Sequence, residues 1–367
     1  MEVEEVRFFI SFLVAAATMT AGSIGYGVTP LASDMPGVAP VTDPGLINPW
    51  GITASSSSPF WLSINGNGTS ELYNGAGAKQ SLTVTIPGST PSPTGVVFNS
   101  VPAAFNGDLF LFASEDGTIS GWRGALGTSA ETLTAGSSAN VYKGITLGTV
   151  AGSTYAYAAN FRTGAIDVMP GTSGAPALTG NFTDPNLPAG YAPFNIENLG
   201  GVLYVTYAVQ DMAKHDDVAG PGNGIVDEYD LNGVFLGRVA TGGPLNSPWG
   251  LAIAPAGFGD IGGDLLVGNF GDGTIHVYNP MTDAFIETLD DQMGNPIMID
   301  GLWGLDFGNG MGSGSTMNLY FTAGPNSEAD GLFGFIATPE PGTFALIGLG
   351  LGVAMMSRRR ARGAGRQ

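Results

Sequence analysis

Residues 248–253 read Pro-Trp-Gly-Leu-Ala-Ile, and residues 264–278 read Asp-Leu-Leu-Val-Gly-Asn-Phe-Gly-Asp-Gly-Thr-Ile-His-Val-Tyr. The second stretch holds two strand-like runs on either side of Asp272-Gly273, and Asp-Gly between such runs is the strongest short-range signal for a β-hairpin. The first stretch adds a further strand that begins at Pro248. Together they predict a small antiparallel sheet built from consecutive strands.

The opening of this unit recurs along the chain. Six copies begin about 44 to 55 residues apart, which is the repeat length of a four-stranded propeller blade. The copies are Pro49-Trp50-Gly51-Ile52, Pro93-Thr94-Gly95-Val96, Lys143-Gly144-Ile145, Pro193-Phe194-Asn195-Ile196, Pro248-Trp249-Gly250-Leu251 and Leu302-Trp303-Gly304-Leu305. One such unit cannot bury both of its faces, so the repeats predict an all-β fold, a six-bladed β-propeller. A parallel β-solenoid is the alternative, but its repeat would be shorter and more regular.

The propeller domain is expected to span residues 26–337. No segment between the two termini keeps a helical period, and closing a ring of blades requires a strand from the opposite end of the chain. Residues Tyr26 to Asp34 are apolar and belong to none of the six copies. We therefore expect them to complete the sixth blade.

Composition limits the functions open to this chain. The formal net charge of −19 repels nucleic acid and anionic lipid, so no nucleic-acid partner is expected. The absence of cysteine excludes disulfides, metal-thiolate sites and a cysteine nucleophile. Stability must come from the hydrophobic core, and a chain of this length can bury a large one.

The C-terminal segment combines three features in a fixed order. Pro339-Glu340-Pro341 precedes an apolar run from Thr343 to Met356, and the basic residues Arg358, Arg359 and Arg360 follow it. The run predicts a short membrane helix whose basic end stays cytoplasmic. An ordinary C-terminal membrane anchor is one interpretation. A glycolipid-anchor signal fits less well, because such tails end in apolar residues.

This order of parts resembles the PEP-CTERM sorting signal of Gram-negative bacteria, near which a membrane protease called exosortase acts. The resemblance covers about Thr338 to Arg362, so residues 338–367 are expected to form a sorting signal. It implies export, transient anchoring in the inner membrane, and a final location at the cell surface or outside the cell. Membrane contact is then expected only through this helix, and exosortase is the expected processing partner.

The N-terminal segment has the apolar core of an export signal. Phe8 to Ala17 is continuously apolar apart from Ser11, and small residues follow it. Glu2, Glu4 and Glu5 are unusual where a signal peptide carries net positive charge. Residues 1–25 are nevertheless predicted to be a signal peptide.

The repeats resemble NHL-type repeats, which share the Pro-x-Gly-apolar opening and the later hairpin. The amino-acid sequence of the repeats is also similar to that of a family of exported bacterial NHL-like proteins. The segments that carry this resemblance are residues 43–52, 213–224, 244–250 and 263–275. The resemblance implies the propeller fold and brings no activity or substrate with it.

An insertion in the fourth repeat, Gln210 to Asp230, is rich in carboxylates, amides and glycine. Such oxygen-rich loops suit calcium, which takes six to eight oxygen ligands. The candidate ligands are Asp216, Asp217, Asn223 and Asp227. The alternative is a solvated loop that side-chain turns make rigid. His215 lies in the same polar segment.

A second candidate calcium site comes from the repeat openings. Equivalent positions of different blades converge at a mouth of the central channel, as in calcium-dependent lactonase-like propellers. The candidates there are Asn48, Asn195, Glu197, Asn246 and Asp300. The alternative is that these side chains begin turns and satisfy backbone groups at strand ends.

Catalytic motifs are missing from the sequence. It contains no Gly-x-Ser-x-Gly elbow, no His-Glu-x-x-His and no Walker loop, and of its two histidines His276 is expected to face solvent from a strand. We therefore expect a non-enzymatic protein that binds a polysaccharide or a protein at the cell surface or in the extracellular matrix. The alternative is a calcium-dependent hydrolase or lactonase that works from the channel mouth.

Overall fold

A computed structural model of the protein describes residues 25–338. It consists of six sheets, antiparallel apart from one short parallel pairing, arranged as blades around a central channel. The first strand of each repeat contacts the first strands of its two neighbours, so the six inner strands form a closed ring. The predicted six-bladed β-propeller is confirmed. The signal-peptide core and the tail from Pro339 lie outside the described residues.

The strands are numbered in chain order. They are β1 (Gly27–Ser33), β2 (Val41–Thr42), β3 (Pro49–Thr53), β4 (Phe60–Ile64), β5 (Thr69–Tyr73), β6 (Lys79–Thr85), β7 (Pro93–Phe98), β8 (Phe110–Ser114), β9 (Ile119–Trp122), β10 (Glu131–Thr134), β11 (Tyr142–Val150), β12 (Ser153–Asn160), β13 (Ala165–Pro170), β14 (Tyr191–Leu199), β15 (Val202–Val209), β16 (Ile225–Tyr229), β17 (Phe235–Thr241), β18 (Pro248–Ile253), β19 (Leu265–Asn269), β20 (Ile275–Tyr278), β21 (Phe285–Thr288), β22 (Leu302–Phe307), β23 (Asn318–Ala323) and β24 (Leu332–Ala337). A short helical turn, α1 (Pro325–Glu328), precedes β24.

Blades one to five follow the repeats in order and begin with β3, β7, β11, β14 and β18. Blade three has three strands, and the other four have four each. Blade six contains β22, β23 and β24, and β1 pairs antiparallel with β24. The N-terminal segment therefore supplies the fourth strand of the last blade, as predicted, and this pairing joins the two ends of the ring.

Glycine recurs in the openings because the inner strands of neighbouring blades almost touch. A Cβ atom on Gly51 would lie 2.5 Å from the backbone oxygen of Thr94 in the next blade. On Gly250 it would lie 2.6 Å from the oxygen of Trp303. Any larger side chain at these positions must push two blades apart, so the glycine of the motif sets the close packing of the ring.

The hydrophobic core lies mainly between blades. One buried cluster joins Leu251, Leu265 and Val267 of blade five to Tyr204 and Val226 of blade four. Strands such as β19 and β20 are buried on both faces, so alternation along them does not bring residues out to solvent, whereas outermost strands such as β13 have exposed residues.

His276 illustrates this burial, and the prediction that it faces solvent was wrong. The side chain is 3% exposed. Its Nε2 lies 3.0 Å from Asn269 Nδ2 and 2.9 Å from Thr274 Oγ1, while its Nδ1 lies 3.0 Å from Thr288 Oγ1. Burial lowers the pKa of His276, which favours the neutral ring.

Within the described residues, no helix has the length and apolar character needed to cross a membrane.

Candidate functional site

The two ends of the channel differ in chemistry. Strand register places Trp50, Thr94, Lys143, Phe194, Trp249 and Trp303 at equivalent positions near the start of the six inner strands. The rings of Trp50 and Trp303 are stacked with centroids 3.6 Å apart, and Trp249 packs edge-on against Trp303 at 5.9 Å. We call this the tryptophan end. Its aromatic side chains fill the channel.

Lys143 takes the place of an aromatic residue in blade three and is 1% exposed. Its Nζ lies 2.5 Å from Glu115 Oε1 and 3.3 Å from Asp216 Oδ1. The ammonium also lies 4.9 Å from the centroid of the Trp50 ring, which is cation–π distance. Burial opposes the charge of Lys143, but the two carboxylates outweigh it and raise the pKa of the amine. The lysine is therefore a buried cation.

Further polar groups from blades one and six surround this ion pair. Asn65 Nδ2 donates to Glu115 Oε2 at 3.0 Å. Asn48 Nδ2 donates to Glu328 Oε2 at 2.7 Å, and Asn48 Oδ1 accepts from Trp303 Nε1 at 3.0 Å. These bonds connect the loops of separate blades across the tryptophan end.

The charge of Lys143 bears directly on metal binding at this end. Glu115, His215 and Asp216 have ligand atoms within 4.8 Å of one another, and no other such group of three occurs among residues 25–338. However, the Lys143 ammonium already contacts both carboxylates of this group, those of Glu115 and Asp216. A cation placed between them would have to displace or repel that ammonium. The chemistry of this end fits an internal ion pair better than a metal site.

The opposite end of the channel holds a cavity of about 620 Å³, which we call the chamber. Its walls are the final residues of the six inner strands with their following turns, and they combine apolar residues such as Val97, Leu251 and Phe307 with uncharged polar residues such as Thr146 and Asn198. Glu197 and Asp306 carry the only charged side chains in this lining. Volumes of this size are typical of small-molecule sites.

Glu197 and Asp306 occupy the same position in blades four and six. Glu197 pairs with Tyr204 and Asp306 with Tyr320, at equivalent points of their sheets, and Ala252 holds this position in blade five between them. Both carboxyls are partly exposed to the chamber. Burial raises the pKa of Asp306 to about 7. Burial and the charge of Asp306 together raise the pKa of Glu197 well above its usual range.

A narrow throat leads from the chamber toward the tryptophan end. Asn195, Glu197 and Trp249 are among the residues that line it. Asn195 is 1% exposed, and its Nδ2 donates to the backbone oxygen of Trp249 at 2.8 Å. Its Oδ1 has no hydrogen-bond partner within the described residues, and neither has Nε1 of Trp249. Polar groups of this kind normally find a partner, because leaving one unpaired costs about 1–3 kcal/mol.

The four candidate ligands in the insertion between β15 and β16 have separate partners. Asp216 contacts Lys143, and Asn223 Nδ2 donates to the backbone oxygen of Val218 at 2.9 Å. Asp227 lies in β16 and pairs with Arg238 Nε at 3.0 Å. Asp217 is partly buried, and burial raises the pKa of its carboxyl. Within the described residues, Asp216 and Asp227 therefore belong to two different ion-pair clusters, one around Lys143 and one around Arg238.

The five candidates from the repeat openings are likewise distributed. Asn48 belongs to the tryptophan end, whereas Asn195 and Glu197 line the throat. Asn246 Oδ1 accepts from the backbone N–H of Gly220 at 2.7 Å, and Asp300 Oδ2 accepts from that of Asn326 at 2.9 Å. Within residues 25–338, Asn195 and Glu197 are the two of these five that line the same space, the throat.

Sequence reasoning missed Asp306, Lys143, Glu115 and Glu328. Two of these carried a signal. Asp306 occupies the same column of the aligned openings as Glu197, and Lys143 stands in the column that otherwise holds mainly aromatic residues. Glu115 and Glu328 lie in connections between strands, where no repeat position marks them.

A closed ring of six blades, sealed by aromatic residues at one end and open to a chamber at the other, defines a six-bladed β-propeller. Solved structures agree on the fold. An auxiliary nutrient binding protein from Bacteroides ovatus aligns with a TM-score of 0.55 at 13% identity, covering 87% of this chain and 78% of that one. A streptogramin B lyase aligns with a TM-score of 0.50 at 10% identity, covering 86% and 98%.

Sequence comparison gives the family. The chain is 33% identical over 334 residues to Uncharacterized protein R648 of Acanthamoeba polyphaga mimivirus, and the alignment covers 84% of this chain and 80% of that protein. The chain belongs to the same family as R648. In addition, residues 337–360 match the PEP-CTERM protein-sorting motif, which is the recognition signal of exosortase and marks a protein for export and sorting.

Proposed function

We propose that this protein is an exported propeller of a Gram-negative bacterium that binds a ligand at the cell surface or in the extracellular matrix. The match of residues 337–360 to the sorting motif supports export and processing by exosortase. The NHL-like character of the repeats and the N-terminal signal peptide are parts of the same proposal.

The chamber is the proposed ligand site, and one observation carries this proposal. A cavity of about 620 Å³ is lined by all six blades and holds two carboxyls, Glu197 and Asp306, in otherwise uncharged walls. A concave space that brings apolar residues and a few convergent polar groups together is typical of a small-molecule site. A sugar unit of a polysaccharide or a side chain of a protein would fit such a space.

A calcium-dependent hydrolase has less support. Calcium needs six to eight oxygens around one point. The oxygens of Asn48, Asn246 and Asp300 accept hydrogen bonds in different loops, and the Lys143 ammonium lies between Glu115 and Asp216. A binding function needs none of these oxygens to be free.

Sorting is tested in a bacterium that has an exosortase, with the full chain and a variant in which Pro339, Glu340 and Pro341 are alanine. The unchanged chain should be shortened and reach the surface, whereas the variant should stay full-length in the membrane fraction. Thr343→Ala is the control and should be processed normally. Equal size and location of all three chains, with or without the exosortase gene, would contradict the sorting proposal.

Ligand binding is tested with a spin label at the rim of the chamber. The chain has no cysteine, so Thr149→Cys, at an exposed lining position, can be labelled alone. Thr163→Cys, exposed in the turn after β12 at the far end of the blade, is the matched control. Small sugars, amines and amino acids are then screened by NMR against the full chain in detergent. Faster relaxation of a compound with the Thr149→Cys label only would support the chamber as the site. Equal relaxation of every compound with both labels would remove it.

A further inference from the structure

We infer that the chamber binds an organic cation, a molecule with an ammonium group on an apolar body. The inference rests on the proposed ligand-binding function of the chamber. It adds the chemical class of the ligand, which follows from the charges, the unpaired acceptor and the walls of this end of the channel.

The carboxylates in the chamber have no cationic partner within the described part of the chain. Glu197 and Asp306 project from blades four and six, and the lining contains no lysine, arginine or histidine. Neither carboxylate forms an ion pair within residues 25–338, although ion pairs stabilise Glu115 and Asp216 at the tryptophan end. The same ring therefore supplies its own cation at one end of the channel and leaves the other end for a cation from outside.

An unpaired acceptor provides independent evidence for a donor-rich ligand. Asn195 Oδ1 is buried beside Gly144 without a hydrogen-bond partner in the described part of the chain, and Asn195 lines the throat next to Glu197. The two carboxylates open on the chamber and the amide oxygen lies in the throat, so acceptors dominate here, whereas an ammonium group has up to three N–H donors and no acceptor. A neutral hydroxyl would offer only one donor to the same set.

Several other polar groups of the chamber are engaged in hydrogen bonds, which leaves fewer oxygens for a metal ion. Asn198 Nδ2 donates to the backbone oxygen of Leu147 at 2.8 Å, and Thr146 Oγ1 accepts from the backbone N–H of Asn198 at 3.1 Å. Calcium would find few free oxygens there compared with the six to eight that it takes. Apolar walls such as Val97 and Phe307 instead suit the hydrocarbon part of an organic cation.

The raised pKa values of the two carboxyls predict how pH affects binding. Glu197 and Asp306 are the titratable side chains that face the chamber from the six inner strands. Burial raises the pKa of Asp306 to about 7, and that of Glu197 is raised as well. An ammonium ligand favours the ionised carboxylates, so its binding should strengthen as pH rises through neutrality and should release protons near neutral pH.

The test compares matched probes on the full chain that carries the Thr149→Cys spin label. Benzylamine and benzyl alcohol differ in the ammonium group, and calcium ions compete without an apolar body. Benzylamine should relax faster with the Thr149→Cys label than with the Thr163→Cys label and should bind more weakly at pH 5. Glu197→Gln and Asp306→Asn should each weaken it about tenfold or more, because each removes a charged partner. Asp283→Asn, in an exposed turn, removes the same charge elsewhere and should leave binding unchanged.

The outcomes separate this inference from the proposed function. If benzyl alcohol binds in the chamber as tightly as benzylamine, the chamber remains a ligand site but the cation inference is wrong. If calcium displaces benzylamine and binds more tightly, the site is a metal site and the inference is again wrong. If no probe responds to the Thr149→Cys label, the chamber proposal fails too. Thermal unfolding of both chamber variants establishes that each is folded, and either variant alone suffices for the comparison.

Discussion

Replacing Asp306 by asparagine should stabilise the protein, but only above about pH 5. The carboxyl of Asp306 has its pKa raised by burial from 3.8 to about 7. The lower value is the pKa of this carboxyl in the unfolded chain and the higher value is its pKa in the folded protein. Between them the folded state holds a proton that the unfolded state has lost, so the free energy of unfolding falls as pH rises through this window. Asparagine has nearly the same shape and cannot ionise. The variant therefore does not lose stability through ionisation at this position, whereas the native chain does.

The size of the effect follows from the shift. A pKa difference of about three units corresponds to about 4 kcal/mol once the group is fully ionised. The chamber is open to solvent and Asp306 is partly exposed, so we expect roughly half of this, about 2 kcal/mol. With an unfolding entropy near 2.1 cal/mol/K per residue and about 300 residues, this raises Tm by about 3 °C. Loss of the charge should also lower the pKa of Glu197, because the Asp306 charge helps to raise it.

Thermal unfolding of the two chains at pH 4 and at pH 8.5, at one scan rate, measures the effect. The difference in Tm should be near zero at pH 4 and about 3 °C in favour of Asp306→Asn at pH 8.5. Asp283→Asn should show no such pH dependence, since Asp283 lies in an exposed turn. A difference that is the same at both pH values would refute the reasoning, because it would mean that Asp306 does not titrate between them.

Two further predictions concern the ring and its sealed end. Gly250→Ala places a Cβ 2.6 Å from the backbone oxygen of Trp303 and should cost about 1–3 kcal/mol of stability in urea unfolding. Gly237→Ala, which has no atom within 4 Å of the added Cβ, should change stability by less than about 0.5 kcal/mol, and equal effects would contradict close packing of the inner strands. Lys143→Met leaves the largely buried carboxylate of Glu115 beside a neutral side chain and should cost about 3 kcal/mol. An unchanged urea midpoint for this variant would mean that the ion pair contributes nothing to stability.

Most of the fold could be predicted because each blade has its signal within one local segment. The first strand of a blade and its Asp-Gly hairpin lie close together in the sequence, as at Asp272-Gly273, so they can be recognised without knowledge of distant contacts. The closure by β1 was predictable from topology, since a ring has no free edge. The burial of His276 was not predictable, because alternation along one strand says nothing about a neighbouring blade that covers its outer face.

The sequence by itself determined the repeat, the number of blades, the glycine positions and the sorting tail, since each depends on residues close together in the chain. Only the tertiary structure decided which polar groups meet. Asp306 and Glu197 are more than a hundred residues apart, and they share a chamber because equivalent positions of a ring converge on its axis. Lys143 gains Glu115 and Asp216 from loops of two other blades. Local sequence motifs specify the propeller fold. The charge balance at each end of the channel depends on distant residues that come together only when the ring closes.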